Sequence, residues 1–165
     1  IEVFLGTFAD YDREEGSFDL VAMNNYLEHT LEPLEEIRKA RRMLKNGGYL
    51  LGEVPGFDSF ERRLFGRFWG GNHAPRHTFQ FDWTLLTKLL AAEGFADVRI
   101  THELNTGHWA LSVQNLLHRN LPGGKDIEHG RSWYYQPLLV AFIPINVFCV
   151  WAHKAGVIKF SARAA

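Results

Sequence analysis

Blocks of apolar and polar positions along the chain predict a strand–helix–strand–helix–strand rhythm. Ile1 to Leu5 is a short apolar run closed by Gly6 and predicts a strand; a turn-like acidic stretch, Asp10 to Gly16, follows. Phe18-Asp19-Leu20-Val21-Ala22-Met23 is nearly continuous in apolar character, as expected of a strand covered on both faces in a parallel sheet. Leu34, Ile37, Ala40, Met43 and Leu44 then recur at helical spacing. Pro33 suits the first turn of that helix, and Gly47-Gly48 predicts its C-terminal cap. Tyr49 to Val54, closed by Pro55, reads as the next strand, and Phe57 to Trp69 as a polar and aromatic helical stretch. Asp82 is a candidate N-cap for a helix carrying Leu85, Leu86, Leu89 and Leu90, stopped by Gly94. Phe95 to Ile100 predicts a further strand. Such alternation implies βαβ units and a mostly parallel sheet. From Gly107 the pattern loosens: His108 to Leu117 predicts a helix, Leu121 to Gly124 a loop, and Val157 to Arg163 a terminal strand.

Composition narrows the class. With 165 residues, 46% hydrophobic and 22% charged, the chain fits one globular domain and excludes a disordered tail, a collagen-like repeat or a coiled coil. Its 18 basic and 19 acidic side chains give a net charge of −1, which speaks against a nucleic-acid partner. The basic run Arg38, Lys39, Arg41, Arg42 and Lys45 follows Glu32, Glu35 and Glu36 along one helix, so it reads as macrodipole matching on a solvated face. A single cysteine, Cys149, allows no internal disulfide and suits a reducing compartment; with no leader visible, the expected location is cytoplasmic.

The uncharged stretch Ser132 to Ala152 carries Trp133, Tyr134 and Tyr135 at one end and Trp151 at the other. Its length and aromatic ends fit a membrane span, but Pro137, Pro144 and Asn146 break a straight one. A buried or lid-like helix pair is expected there, with peripheral membrane contact through residues 132–152 as the alternative.

Several motifs occur in a fixed order: Phe18-Asp19-Leu20-Val21, Leu27-Glu28-His29, a helix, Gly47-Gly48, and an apolar strand ending in Pro55. Asp58 to Arg67, Trp69, Pro75-Arg76-His77 and a helix ending in Gly94-Phe95 continue the series. In this order the chain resembles the class I S-adenosylmethionine (SAM)-dependent methyltransferases, in the small-molecule group called type 11, 12 or 23. The resemblance runs from about Ile1 to Ile100 and resumes weakly at the last strand. It implies an α/β, Rossmann-like three-layer sheet, mostly parallel with an antiparallel last strand. Residues 1–106 would be the core, 107–156 a helical insertion or lid, and 157–163 the last strand of a single partial domain.

The family's Gly-rich turn after the first strand, and the acidic residue that holds the ribose, have no counterpart before Ile1, which aligns with the family's third strand. The first two strands are thus expected to be absent, and the chain to be the C-terminal part of a longer enzyme, by itself inactive. In the family's strand order those strands lie beside Phe18 to Met23. Its edge is therefore expected to be covered by the Ile1–Leu5 strand shifted inward, by a second copy of the chain, or by chain outside this sequence; bare, it would invite self-association.

Ligands of open α/β sheets bind beyond the carboxyl ends of the strands. By resemblance, Thr7 and Phe8 would meet the adenine of SAM, and Asn24 and Asn25 the methionine end. His29 is the candidate general base, since imidazole titrates close to neutral pH; Glu28 would orient it or cap the next helix. Glu28, Trp69, His73, Arg76 and His77 would form the acceptor pocket for a small molecule. His73 and His77 lie four apart, but Pro75 between them prevents a helix presenting both on one face, so no metal is expected. The expected activity is SAM-dependent methyl transfer. The rival reading is a non-catalytic, methyltransferase-like module serving a partner or a membrane surface. A nicotinamide-dependent Rossmann enzyme is disfavoured because no Tyr-x-x-x-Lys pair occurs.

Overall fold

The computed structural model describes residues 3–73, 75–118 and 132–165. Four strands, β1 (Phe18–Asn24), β2 (Leu44–Pro55), β3 (Phe95–His102) and β4 (Val157–Ala164), form one sheet in the order β1-β2-β4-β3. β1 and β2 pair in parallel, whereas β4 runs antiparallel to both of its neighbours. Three strands therefore share one direction and the last one opposes them, as expected.

Helices α1 (Pro33–Met43) and α3 (Trp83–Ala92) pack on one face of this sheet. α1 buries Pro33, Ile37, Ala40 and Met43 at helical spacing. Of these, Ile37 and Ala40 share one core with Leu50 and Val54 of β2, Ile158, Phe160 and Ala162 of β4, and Leu86 and Leu90 of α3. Each large aliphatic side chain so buried contributes roughly 1.5–3 kcal/mol. Asp82 caps α3 as its sequence predicts, accepting from the Leu85 N–H at 2.7 Å. Most of the basic run has intramolecular partners: Arg38 binds Glu35 and Glu93, Lys39 the Ala9 carbonyl, Arg41 the Gly94 carbonyl and, at the start of β2, Lys45 binds Asp19.

The opposite face differs from expectation. Leu20, Ala22 and Asn24 of β1 and Tyr49 of β2 are exposed there, and no described helix covers them. Of the three layers expected, the described residues supply two, and β1 is buried on one side only. Val3, Phe4 and Leu5 form no ladder and are exposed, so the expected first strand does not form among its described residues. An apolar run specifies a strand only where a ladder partner stands beside it. The outer edge of β1 accordingly has no described partner, so of the three covers expected, the inward-shifted Ile1–Leu5 strand supplies none among its described residues. The end of α1 also differs. The helix stops at Met43, and Gly47, at φ +83°, serves a bulge in which Phe18 pairs with Leu44 but Leu20 already pairs with Tyr49.

Beyond the sheet, α2 (Phe60–Phe65), α4 (Gly107–His118) and α6 (Ile143–Trp151) pack around Trp109, Cys149 and Ala155. Trp109 stacks on Phe142 at 4.9 Å between ring centres and meets Phe65 edge-on at 5.8 Å. Residues 132–152 form the expected helix pair, α5 (Tyr135–Ala141) and α6, with Pro144 in the first turn of α6. Asn146 and Cys149 point inward, but Val140, Val147, Phe148 and Trp151 are exposed, so the pair is not buried. No described helix is long and apolar enough to cross a membrane. The predicted loop Leu121 to Gly124 lies outside the described residues.

Candidate active site

The chain leaves β1 through Asn24 and Asn25 into a single 3-10 turn, Leu27–His29, which brings it to α1. Asn25 holds a left-handed backbone, φ +48°, a conformation that asparagine tolerates better than most residues. Glu53 of β2 fixes it twice: its carbonyl accepts the Asn25 N–H at 2.9 Å and its carboxylate the Asn25 side-chain amide at 2.6 Å. Asn24, paired with Glu53 across the ladder, is exposed on the open face of the sheet. An open groove of about 420 Å³ begins there and runs past Gly52, Arg99, Lys159 and Ser161.

Within the turn, Leu27 anchors the core and Glu28 is 1% exposed. Among the described residues neither Glu28 carboxylate oxygen has a hydrogen-bond partner, and its own backbone N–H only partly offsets the burial. Burial raises the pKa of this carboxyl above the ordinary glutamate range, the expected response of a charge removed from water. His29 is exposed, with Nε2 3.9 Å from Glu28 Oε1.

The segment 77–79 is clipped onto this turn from 48 residues away. The Thr78 N–H donates to the Glu28 carbonyl at 2.8 Å, and its hydroxyl to the Thr30 carbonyl at 2.5 Å. This brings His77 against His29, edge to face, at 4.6 Å between ring centres. His77 in turn meets His73 at 5.1 Å. Carbonyl oxygens can only accept, so their contacts fix both tautomers. His29 Nδ1–H donates to the Arg76 carbonyl at 3.1 Å, and His77 Nδ1–H to the Gly71 carbonyl at 2.8 Å. Each ring then carries its lone pair on Nε2. Burial lowers the pKa of His77, which favours its neutral form.

Phe8 and Tyr26 meet edge-on at 6.2 Å, which carries the 7–8 loop to the turn after β1; Lys39 pins that loop through the Ala9 carbonyl. Thr7 donates its hydroxyl to Asp10 at 2.5 Å and closes a local turn. The phenol of Tyr26 is pushed up to about 12 by burial and by the charge of Glu36. Glu28, His29 and His77 are thus brought together, with His73 beside them and the Arg76 carbonyl holding His29; the Arg76 side chain is exposed. Trp69 stands apart. It is buried, its indole N–H faces the Glu61 carboxylate at 3.4 Å, and it packs under the loop rather than lining an open cleft.

Sequence reasoning missed Glu53 as the clamp on Asn25, and it missed the buried polar cluster around Glu61. Glu61 accepts from the Gly156 N–H at 3.1 Å and from the Asn146 amide at 3.2 Å, tying α2 to α6 and to the start of β4. A glutamate in a helix reads as solvated surface, and only burial distinguishes this one.

An open α/β sheet with an antiparallel last strand, and loops gathered at the strand tips, defines a Rossmann-like domain of the methyltransferase type. Residues 4–100 match the methyltransferase domain family, and the chain belongs to it. Among solved structures, the fold is similar to a SAM-dependent methyltransferase of Thermotoga maritima at 18% identity and a TM-score of 0.63, covering 100% of this chain and 65% of that one. It is also similar to a SAM-dependent methyltransferase of Archaeoglobus fulgidus at 16% identity and a TM-score of 0.55, covering 91% of this chain and 61% of that one. A 59-residue stretch is 36% identical to an uncharacterized 37.1 kDa transposon protein of Streptomyces fradiae, covering 36% of this chain and 17% of that protein. The chain thus spans less than two thirds of the length of these proteins.

Proposed function

We propose that this chain carries the acceptor side and part of the cofactor side of a SAM-dependent methyltransferase acting on a small molecule. The observation that supports this best is the clip at Thr78, which sets Glu28, His29 and His77 beside the tip of β1, next to Asn24 and Asn25. SAM supplies an electrophilic methyl group on a sulfonium when bound. The residues here fit that group in part. Asn24 offers an exposed amide at the strand tip and Asn25 a clamped one, both suited to the amino-acid end, with Phe8 and Thr7 on the adenine side. No Gly-rich turn or ribose-binding acid occurs in these residues. The acceptor would lie against His29, His73, Arg76 and His77, above Trp69. His29 Nε2 is the lone pair that meets an acceptor proton, while the Arg76 carbonyl orients the ring and Glu28 stands behind it.

Backbone amide spectra of the isotope-labelled chain, titrated with SAM, test this reading. Binding is expected to be weak, with Kd on the order of 1 mM, about 4 kcal/mol, because the Gly-rich turn and the ribose acid are not among these residues. Shifts should gather at residues 7–8 and 24–29, and Asn24→Ala should weaken them about threefold. Shifts confined to other surfaces, or none at 10 mM SAM (roughly tenfold above that Kd), would reject it.

One observation favours the rival reading of a non-catalytic module: Val147, Phe148 and Trp151 on α6 present an exposed apolar face within an uncharged stretch. On that reading, the same spectra recorded with phospholipid vesicles broaden at α6, and SAM leaves residues 24–29 unmoved.

A further inference from the structure

The cluster at the tip of β1 has features that acceptor binding alone does not explain. Glu28 is a buried carboxylate with two oxygens that no described residue hydrogen-bonds. A charge left in that state is strongly unfavourable unless a cation or a proton compensates it. Beside it, two imidazoles each give their Nδ1–H to a backbone carbonyl and keep a lone pair on Nε2. That is the arrangement by which second-shell carbonyls fix histidine ligands, setting the tautomer and the direction of the free nitrogen. One ligand atom from each of Glu28, His29 and His77 lies within 4.8 Å of the others.

We propose that Glu28, His29 and His77 form a binding site for a divalent transition-metal ion of the zinc class. Donors around a tetrahedral ion at about 2.0–2.2 Å stand roughly 3.3 Å apart. Glu28 and His29 are at 3.9 Å, so a small rotation of the exposed His29 ring completes the approach. Two imidazoles and one carboxylate suit zinc, cobalt or nickel; magnesium prefers oxygen donors and its own waters. With three protein ligands, at least one position stays open on the His29 side, where His29 and Arg76 are exposed. An oxygen or nitrogen of the acceptor would take that position, which rests on the methyl-transfer reading; binding of the ion does not. The ion and an acceptor proton compete for the same lone pair of His29.

The spacing of His73 and His77 points away from a metal because Pro75 lies between them. The structure pairs His77 with His29 instead, through a clip that no local spacing encodes. The second histidine pair, His102 and His153 at 5.7 Å, belongs to no such three-ligand group among the described residues and serves as a control.

The test is calorimetric titration of the chelator-treated chain with Zn²⁺, without SAM or acceptor, paired with Co²⁺ titration read by visible d–d absorption. The wild type should take up one Zn²⁺ that His153→Ala leaves unchanged. His29→Gln and His77→Gln should each weaken it about tenfold or more, and Glu28→Gln similarly. Co²⁺ should give the intense bands of a four-coordinate site, abolished in the double histidine variant. Circular dichroism checks the fold of each variant; should one unfold, the Zn²⁺-dependent rise in Tm of the wild type, and its absence in the remaining variants, decides. No Zn²⁺ uptake, uptake unaltered in a folded His29→Gln/His77→Gln chain, or equal affinity for Mg²⁺ overturns the proposal. Loss of SAM-induced shifts with Zn²⁺ binding intact would instead remove the methyl-transfer reading and leave the metal site standing.

Discussion

Glu61 is buried and hydrogen-bonded to donors, yet desolvation outweighs them and raises its pKa to about 7. An unfolded glutamate titrates near 4.5, so the folded chain holds the extra proton between the two values. Stability from this group is full below about pH 4.5 and falls as pH rises through 7, by roughly 3 kcal/mol in all. His108, nearby through the Gly156 carbonyl, acts in the opposite sense. Burial lowers it from the ordinary histidine value to about 4, so its contribution is present above 6.5 and lost as pH falls. The two slopes oppose each other between about 4.5 and 6.5, and only the Glu61 slope remains above. In denaturant melts, the stability difference between Glu61→Gln and wild type should therefore move in favour of the variant from pH 5 to pH 8. A difference that does not vary with pH would mean that Glu61 titrates as in water. Gly156 belongs to the same packing: a Cβ there would lie 2.6 Å from the Glu61 carboxyl carbon, so no side chain fits without displacing the network.

At the scale of elements, the candidate site depends on a two-point clip between the turn after β1 and the 77–79 segment. Thr78 holds both points, by its N–H to Glu28 and its hydroxyl to Thr30. Thr78→Val keeps the shape and the N–H but removes the hydroxyl, so it should cost about 1 kcal/mol in urea melts. It should also loosen the His29–His77 contact, visible as averaged His77 ring signals in NMR; unchanged rings with normal stability would show that the N–H alone suffices. Why this contact escapes the sequence is physical. Periodicity reports which face of an element is apolar, and so α1, α3 and their Asp82 cap were legible, as were β2 and β3. A contact between two loops 48 residues apart leaves no periodic trace. Local patterns also cannot say whether an apolar run finds a ladder partner, which is why Val3 to Leu5 stand unpaired. Nor do they place a glycine: Gly47 looks like a helix cap but serves a strand bulge, since Leu44 already faces the core and pairs with Phe18.

At the scale of the whole molecule, one face of the sheet and one edge have no described cover, and this bears on how the 165 residues behave in solution. Leu20 at 50% and Tyr49 at 47% exposure lie on the open face, and the free edge of β1 offers unpaired N–H and C=O groups beside them. Natural sheets protect such edges with charge, proline or bulges. Beyond the Phe18–Leu20 bulge, β1 reads Leu-Val-Ala-Met, with none of these devices. Edge-to-edge pairing of two chains would bury that run and satisfy its backbone, so the isolated chain should run above its 19.0 kDa monomer mass in light scattering, increasingly so with concentration. Leu20→Lys places a charge on the exposed side of β1, touches no core residue, and should return the chain to a monomer with a change in stability of about 0.5 kcal/mol or less. In the monomer a solvated lysine costs little, whereas an edge-to-edge pair gathers the like charges of two copies on one face; the discrimination falls on association alone. A wild type that stays monomeric across the same concentrations would overturn this prediction.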